Sequence, residues 1–64
     1  MTQRDIAIRD LNAAGYELER HGSKHDLFYN AELGTSITLK RGKFDEGDLR
    51  YIRKEIKNKT KGGR

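Results

Sequence analysis

Apolar and polar residues follow two different periods along this chain, and the changes of period divide it into five segments. Ala7, Ile8, Leu11 and Ala14 recur at helical spacing and form one apolar stripe. Thr2 stands where an N-cap belongs, and Asp5, three residues on, supplies a shorter version of the capping-box acid. Gly15 occupies the place of a left-handed residue at a helix C-terminus, so a first helix is expected over residues 3–14. Tyr16-Glu17-Leu18-Glu19-Arg20 alternates apolar and charged, the pattern of a half-buried strand. His21-Gly22-Ser23 reads as a turn, and the aromatic run from Asp26 to Ala31 as a second strand. In that strand Leu27 and Tyr29 share one face and Phe28 takes the other. Both faces are apolar enough to turn inward, so the pattern leaves the choice open. Glu32-Leu33-Gly34 closes a hairpin, with glycine able to supply a positive φ, and Thr35–Lys40 alternates again as a β-branched third strand.

Arg41-Gly42-Lys43-Phe44 reads as a loop. Beyond it Leu49, Ile52 and Ile56 repeat at i, i+3 and i+7 as the buried stripe of a second helix. Asp45 or Asp48 is its cap, and carboxylates in its first turn suit the helix dipole. Arg50, Arg53, Lys54 and Lys57 fall largely outside the stripe. Residues 58–64 are basic, end in glycines and carry no apolar anchor, so they are expected to form a disordered tail after a single domain over 1–57. The predicted class is α+β: a helix, a three-stranded antiparallel sheet and a helix. The simplest packing lays both apolar helix stripes on one sheet face and leaves the other face open to a partner.

Composition adjusts this picture. Apolar residues make up 33% of the chain and the mean hydropathy is −1.02, low for a folded domain, yet their patterning argues for a small core rather than disorder. A chain of 64 residues buries only about 60% of the surface its unfolded form exposes. The absence of cysteine excludes disulfides, cysteine-ligated zinc and a cysteine nucleophile, and fits a reducing cytoplasm. No apolar run is long enough to span a bilayer and no signal-peptide pattern opens the chain, so the expectation is a cytoplasmic protein without a membrane partner. Net charge is +4, unevenly placed. Residues 1–39 carry four Lys/Arg against six Asp/Glu, and residues 40–64 carry ten against four. The basic half is a docking surface for a polyanion or an ordinary solvated, mixed-charge surface.

The densest chemistry lies in Gly22-Ser23-Lys24-His25-Asp26-Leu27-Phe28-Tyr29-Asn30. His25 is the residue able to exchange a proton near neutral pH, and the same stretch is a basic, aromatic edge suited to RNA. His21, four residues away across a turn, invites a two-histidine pair, although nothing in the sequence fixes both rings on one face. Asp45, Glu46 and Asp48 are explained more simply as capping residues than as metal ligands. Phe28 and Tyr29 are candidates to stack on a base, with core packing the better account of at least one.

Three stretches, in order and at matching separation, carry a resemblance: Leu11-Asn12-Ala13-Ala14-Gly15-Tyr16; Gly22-Ser23-Lys24-His25-Asp26-Leu27-Phe28; and residues Gly42 to Lys54. Together they resemble the HicA toxins, small mRNA interferases of bacterial toxin–antitoxin pairs, over about residues 3–56. The commonest pattern in that family has histidine directly after Gly-Ser. Here Lys24 takes that place, and the spacing from His25 to Phe28 marks His25 as the equivalent. The resemblance implies a double-stranded-RNA-binding-like α-β-β-β-α fold and cleavage of mRNA without a cofactor or metal, dependent on one histidine. It also implies a HicB-type antitoxin that masks the site, and a monomer when free of it. In such a reaction the 2′-hydroxyl attacks the adjacent phosphorus. Histidine moves a proton while a cation stabilises the phosphoryl oxygens. His25 is then the acid or base, and Lys24, Lys40, Arg41, Lys43, Arg50, Arg53 and Lys54 are candidate phosphate contacts. Strand neighbours point to opposite faces, which sets Lys24 against sharing a phosphate with His25 unless the turn bends the backbone. The alternatives are a non-catalytic RNA-binding module of the same fold and a protein-interaction domain with an open sheet edge.

Overall fold

The computed structural model describes residues 1–62, and the side chains of residues 1–60. The order is α1 (Gln3–Ala13), β1 (Glu17–His21), β2 (His25–Asn30), β3 (Thr35–Lys40) and α2 (Glu46–Gly62). The strands form one antiparallel sheet in the order β1-β2-β3.

Each helix begins as its sequence dictates. The Thr2 hydroxyl accepts from the Asp5 N–H at 3.1 Å, and the Asp5 carboxylate accepts from the Thr2 N–H at 3.2 Å. Asp45 and Asp48 repeat the arrangement at α2, each carboxylate accepting the other's backbone N–H at 3.0 Å. α1 ends in a Schellman motif. The Tyr16 N–H donates to Leu11 O at 2.8 Å and the Gly15 N–H to Asn12 O at 3.1 Å, with Gly15 at φ +96°. A side chain at Gly15 would be strained at that φ, and its Cβ would stand 3.0 Å from Asn30 Nδ2.

The core consists of Ala7 and Leu11 from α1, Tyr16, Phe28 from β2, Ile37 and Leu39 from β3, and Leu49 and Ile52 from α2. Both helix stripes therefore share one core with a single face of the sheet. This settles the inward face of β2: Asp26, Phe28 and Asn30 turn inward, while His25 and Tyr29 turn outward. Asn30 is buried and earns its place by bonding, its Nδ2 donating to Ala14 O at 3.1 Å and its Oδ1 accepting the Leu33 N–H at 2.9 Å.

Three expectations need correction. β1 is exposed along its whole length rather than half-buried, and it starts after Tyr16. It is one of the sheet's two edge strands, and unlike β3, the other, it gives no residue to the core, where the Tyr16 ring that precedes it stands in its stead. His21 belongs to β1 rather than to the turn. α2 continues to Gly62, through positions 58–62 that the sequence places in a disordered tail. Nothing in that stretch forces a stop. Helix propagation is cheap once begun, Lys59 pairs with Glu55 one turn back at 3.9 Å, and the Thr60 hydroxyl bonds Ile56 O at 2.7 Å. Residues 63 and 64 lie outside the described residues.

Candidate histidine site and nucleic-acid interface

The hairpin joining β1 to β2 turns through Gly22-Ser23-Lys24 and is closed by the Gly22 N–H donating to His25 O at 2.8 Å. Glycine is required here for space. A Cβ on residue 22 would lie 2.4 Å from the His25 carbonyl oxygen, a backbone atom that cannot step aside. Arg41, just past β3, clamps this hairpin. Its backbone N–H donates to Lys24 O at 2.9 Å, and its Nη1 donates to Gly22 O at 2.7 Å.

Beneath the hairpin lies Asp26, only 4% exposed. Arg4 Nη2 from α1 donates to its Oδ2. His21 Nδ1 lies 3.0 Å and Arg41 Nε 3.5 Å from its Oδ1. Arg4 Nε also donates to Lys40 O at 3.2 Å. One carboxylate thus gathers the start of α1, the end of β1 and the loop after β3. Burial pushes the Asp26 carboxyl up, but the hydrogen bonds from His21 and Arg4 and the charge of Arg41 outweigh it and hold its pKa below the ordinary value.

The two histidines are separated by the sheet. His21 pairs with Asp26 in the β1–β2 register and shares its inward face. His25 pairs with Lys40 in the β2–β3 register on the outward face. They do not form an acid–base pair, and His21 is held by Asp26 rather than free in a loop.

His25 is exposed at the meeting of two concavities. One, of 650 Å³, is lined by Ser23, Lys24, His25, Lys40, Arg41 and Gly42. Its lining carries three cations and no carboxylate. Lys24 sits in the hairpin loop, so strand alternation does not carry it to the opposite face and it lines the same space as His25. The second concavity, of 240 Å³, is lined by His25, Thr38, Lys40, Phe44, Asp48, Tyr51 and Ile52. Lys40 Nζ lies 3.6 Å from Asp48 Oδ2 across it.

The remaining candidate cations lie elsewhere. At 100° per residue, α2 places Leu49, Ile52 and Ile56 on the core side and Asp48 and Tyr51 on the flank toward His25. Arg50 and Arg53 fall on the other flank, where both line a groove with Gln3 and Ile6 of α1. Arg53 Nε donates to Asp10 Oδ2 at 2.8 Å, tying the two helices. Lys54 is exposed on the side of α2 opposite the core, and Lys43 is exposed in the loop. Of the eight residues singled out by sequence, His25, Lys24, Lys40 and Arg41 come together, and Arg50, Arg53, Lys54 and Lys43 do not join them in either concavity. Sequence reasoning gave no role to Asp26 or Tyr51, and read Asp48 only as a capping residue. Asp26 stands two residues before Phe28, so a decision that Phe28 points inward would have shown a carboxylate turned into the fold.

Among the described residues no group of three or more His, Asp or Glu side chains is placed to hold a metal ion, and no helix is long and apolar enough to cross a membrane. In comparisons with family models, curated proteins and solved structures, none matches this chain.

Proposed function

We propose that this chain is a HicA-like endoribonuclease of a type II toxin–antitoxin pair, with a double-stranded-RNA-binding-like fold and a HicB-type antitoxin as its protein partner. The reading rests on the sequence resemblance. The observation that carries it is the placement of an exposed His25 beside Lys24, Lys40 and Arg41 in one concavity free of carboxylates. RNA supplies its own nucleophile. The 2′-oxygen loses its proton and bonds to phosphorus, the bond from phosphorus to the 5′-oxygen breaks, and that oxygen takes up a proton. His25 exchanges one of these protons. The ammonium groups of Lys24 and Lys40 face the charge gathering on the phosphoryl oxygens. Arg41 holds the hairpin through Gly22 O and Lys24 O, so in this reading it is first a positioning residue.

Purified protein incubated with mixed structured and unstructured RNA in excess chelator, beside His25→Ala, tests the reading. Cleavage by the wild type and none by the variant, with RNA binding retained in both, is the expected result. One observation favours the non-catalytic module: among the described residues no side chain is hydrogen-bonded to the His25 ring to orient it. Equal binding without cleavage by both proteins establishes that module instead.

A further inference from the structure

Among the described residues two aromatic rings are exposed, Tyr29 and Tyr51, and of these only Tyr51 lines a concavity with His25. Tyr16 and Phe28 are buried, and Phe44 packs partly against the core. Tyr51 is 57% exposed, yet it lines the 240 Å³ concavity together with His25, Lys40, Thr38 and Asp48. Phe44 and Ile52 complete the lining, so this exposed aromatic, outside the core cluster, borders a small space with one polar and one apolar side. This space is below the range of drug-sized pockets, about 300–1,000 Å³, and suits a planar fragment. Asp48 gives it a polar wall. Its Oδ2 accepts the Asp45 N–H and faces Lys40, while its Oδ1 takes no hydrogen bond among the described residues. The Asp45 N–H, opposed by partial burial and helped by Lys40, holds the Asp48 carboxyl below its ordinary value. Asp48 is therefore ionised at neutral pH and only accepts hydrogen bonds.

We propose that this concavity receives one unpaired nucleobase of the RNA, stacked on Tyr51 and read by Asp48, next to the phosphate held at His25 and Lys40. Single-stranded RNA is recognised in this manner, by stacking bases on aromatic rings and bonding their Watson–Crick edges. An ionised carboxylate selects an edge rich in N–H donors. Guanine presents two adjacent donors, N1–H and the 2-amino group, so guanine is the favoured base. Adenine and cytosine offer one amino group and uracil one ring N–H. The proposal deepens the ribonuclease reading and rests on it for the position of the phosphate.

Short 2′-O-methyl RNA oligomers, which lack the attacking hydroxyl, separate binding from cleavage. Each has one variable base in an otherwise uniform strand, and affinity is read by fluorescence anisotropy at fixed salt. Tyr51→Ala is expected to weaken binding about tenfold, and Tyr51→Phe to leave it within about twofold because the ring remains. Wild type is expected to prefer guanine. Asp48→Asn, which keeps a capping oxygen and adds an amino donor, is expected to abolish that preference. Circular dichroism confirms that each variant is folded. Equal affinity of Tyr51→Ala and wild type overturns the stacking site, and equal affinity for all four bases overturns the reading by Asp48. Base-dependent binding without cleavage of ordinary RNA sinks the nuclease reading and keeps the base site. Cleavage lost in His25→Ala but indifferent to Tyr51 and Asp48 does the reverse.

Discussion

Arg41 Nη1 donates to the carbonyl oxygen of Gly22 over 2.7 Å, so a residue beyond the third strand fixes the hairpin between the first two. The same side chain reaches Asp26 Oδ1 at 3.5 Å, and its backbone N–H holds Lys24 O. Two of these contacts need the branched guanidinium. Arg41→Ala is expected to cost about 1 kcal/mol, the low end for hydrogen bonds from a charged group because the side chain is half exposed. It should also speed exchange of the Gly22 amide and, if the proposed ribonuclease reading holds, lower cleavage more than RNA affinity. Arg41→Lys should fail to restore either, since one ammonium cannot span both partners. Unchanged amide exchange in Arg41→Ala shows that the clamp is not what holds the hairpin.

Gly22, in the hairpin between β1 and β2, and Gly42, in the loop after β3, differ in what a side chain would meet. At Gly22 an added Cβ stands 2.4 Å from His25 O, whereas at Gly42 nothing lies within 4 Å. Gly22→Ala must displace the backbone that carries His25. It is expected to cost about 1–3 kcal/mol, on the order of other local backbone strain, and, if the proposed ribonuclease reading holds, to reduce cleavage strongly. Gly42→Ala should change stability by no more than about 0.5 kcal/mol. Denaturant unfolding of the pair decides it, and similar midpoints for both variants would contradict the geometry.

Asp26 makes stability depend on acidity. Its folded pKa is depressed, so the unfolded chain takes up a proton at a higher pH than the folded one. The contribution is complete above the unfolded value of about 3.9. It is lost as pH falls through the lower folded value. Asp26→Asn should flatten this acid limb of the stability curve. At neutral pH it should cost about 3 kcal/mol, because Arg4 and Arg41 are left facing a neutral amide. Urea midpoints measured from pH 7 down to pH 3 show whether the limb disappears; an unaltered limb assigns it to other carboxylates.

Where local rules govern, the chain was legible. The capping box of α1, the glycine at its end, the third strand at residues 35–40 and the Leu49, Ile52, Ile56 stripe follow from short-range spacing alone, whereas the cap of α2 was left between Asp45 and Asp48 and the structure uses both. The inward face of β2 was not legible, because Leu27, Phe28 and Tyr29 are all apolar and only the packing of α1 and α2 chooses Phe28. With that choice undecided, the burial of Asp26 and its joining to Arg4, 22 residues earlier, were invisible too. The candidate site was half legible. The hairpin names His25 and Lys24 by proximity in sequence, and Lys40 and Arg41 join them through strand pairing. The exclusion of Arg50 and Arg53 depends on which flank of α2 faces α1, a tertiary fact.

Tyr16 presents the reverse of Asp26, a buried polar atom left alone. Its ring is fully buried and its hydroxyl has no hydrogen-bond partner among the described residues. Burial, with the nearby charge of Glu55, raises its pKa and keeps it neutral. Tyr16→Phe removes a desolvated hydroxyl while leaving the ring, and should be neutral or stabilising by up to about 1 kcal/mol. Leu11→Ala, one contact away in the same core, should cost about 2–5 kcal/mol. Thermal unfolding ranks the two, and a Tyr16→Phe loss comparable to that of Leu11→Ala would mean the hydroxyl is bonded in solution.

The division of basic residues by the fold gives the last expectation. Lys24 and Lys40 face the concavity at His25, whereas Arg53 is engaged with Asp10 on the far flank of α2. If RNA docks at the hairpin end, each phosphate contact there contributes about 0.7 to the slope of log affinity against log salt for a single strand. Lys24→Ala and Lys40→Ala should each lower that slope by roughly this amount. Arg53→Ala should leave it unchanged while lowering stability by less than about 1 kcal/mol, as the pair is solvent-exposed. Anisotropy titrations at several salt concentrations separate the surfaces. A slope that falls for Arg53→Ala and Arg50→Ala but not for Lys24→Ala moves the RNA to the groove between the helices and away from His25.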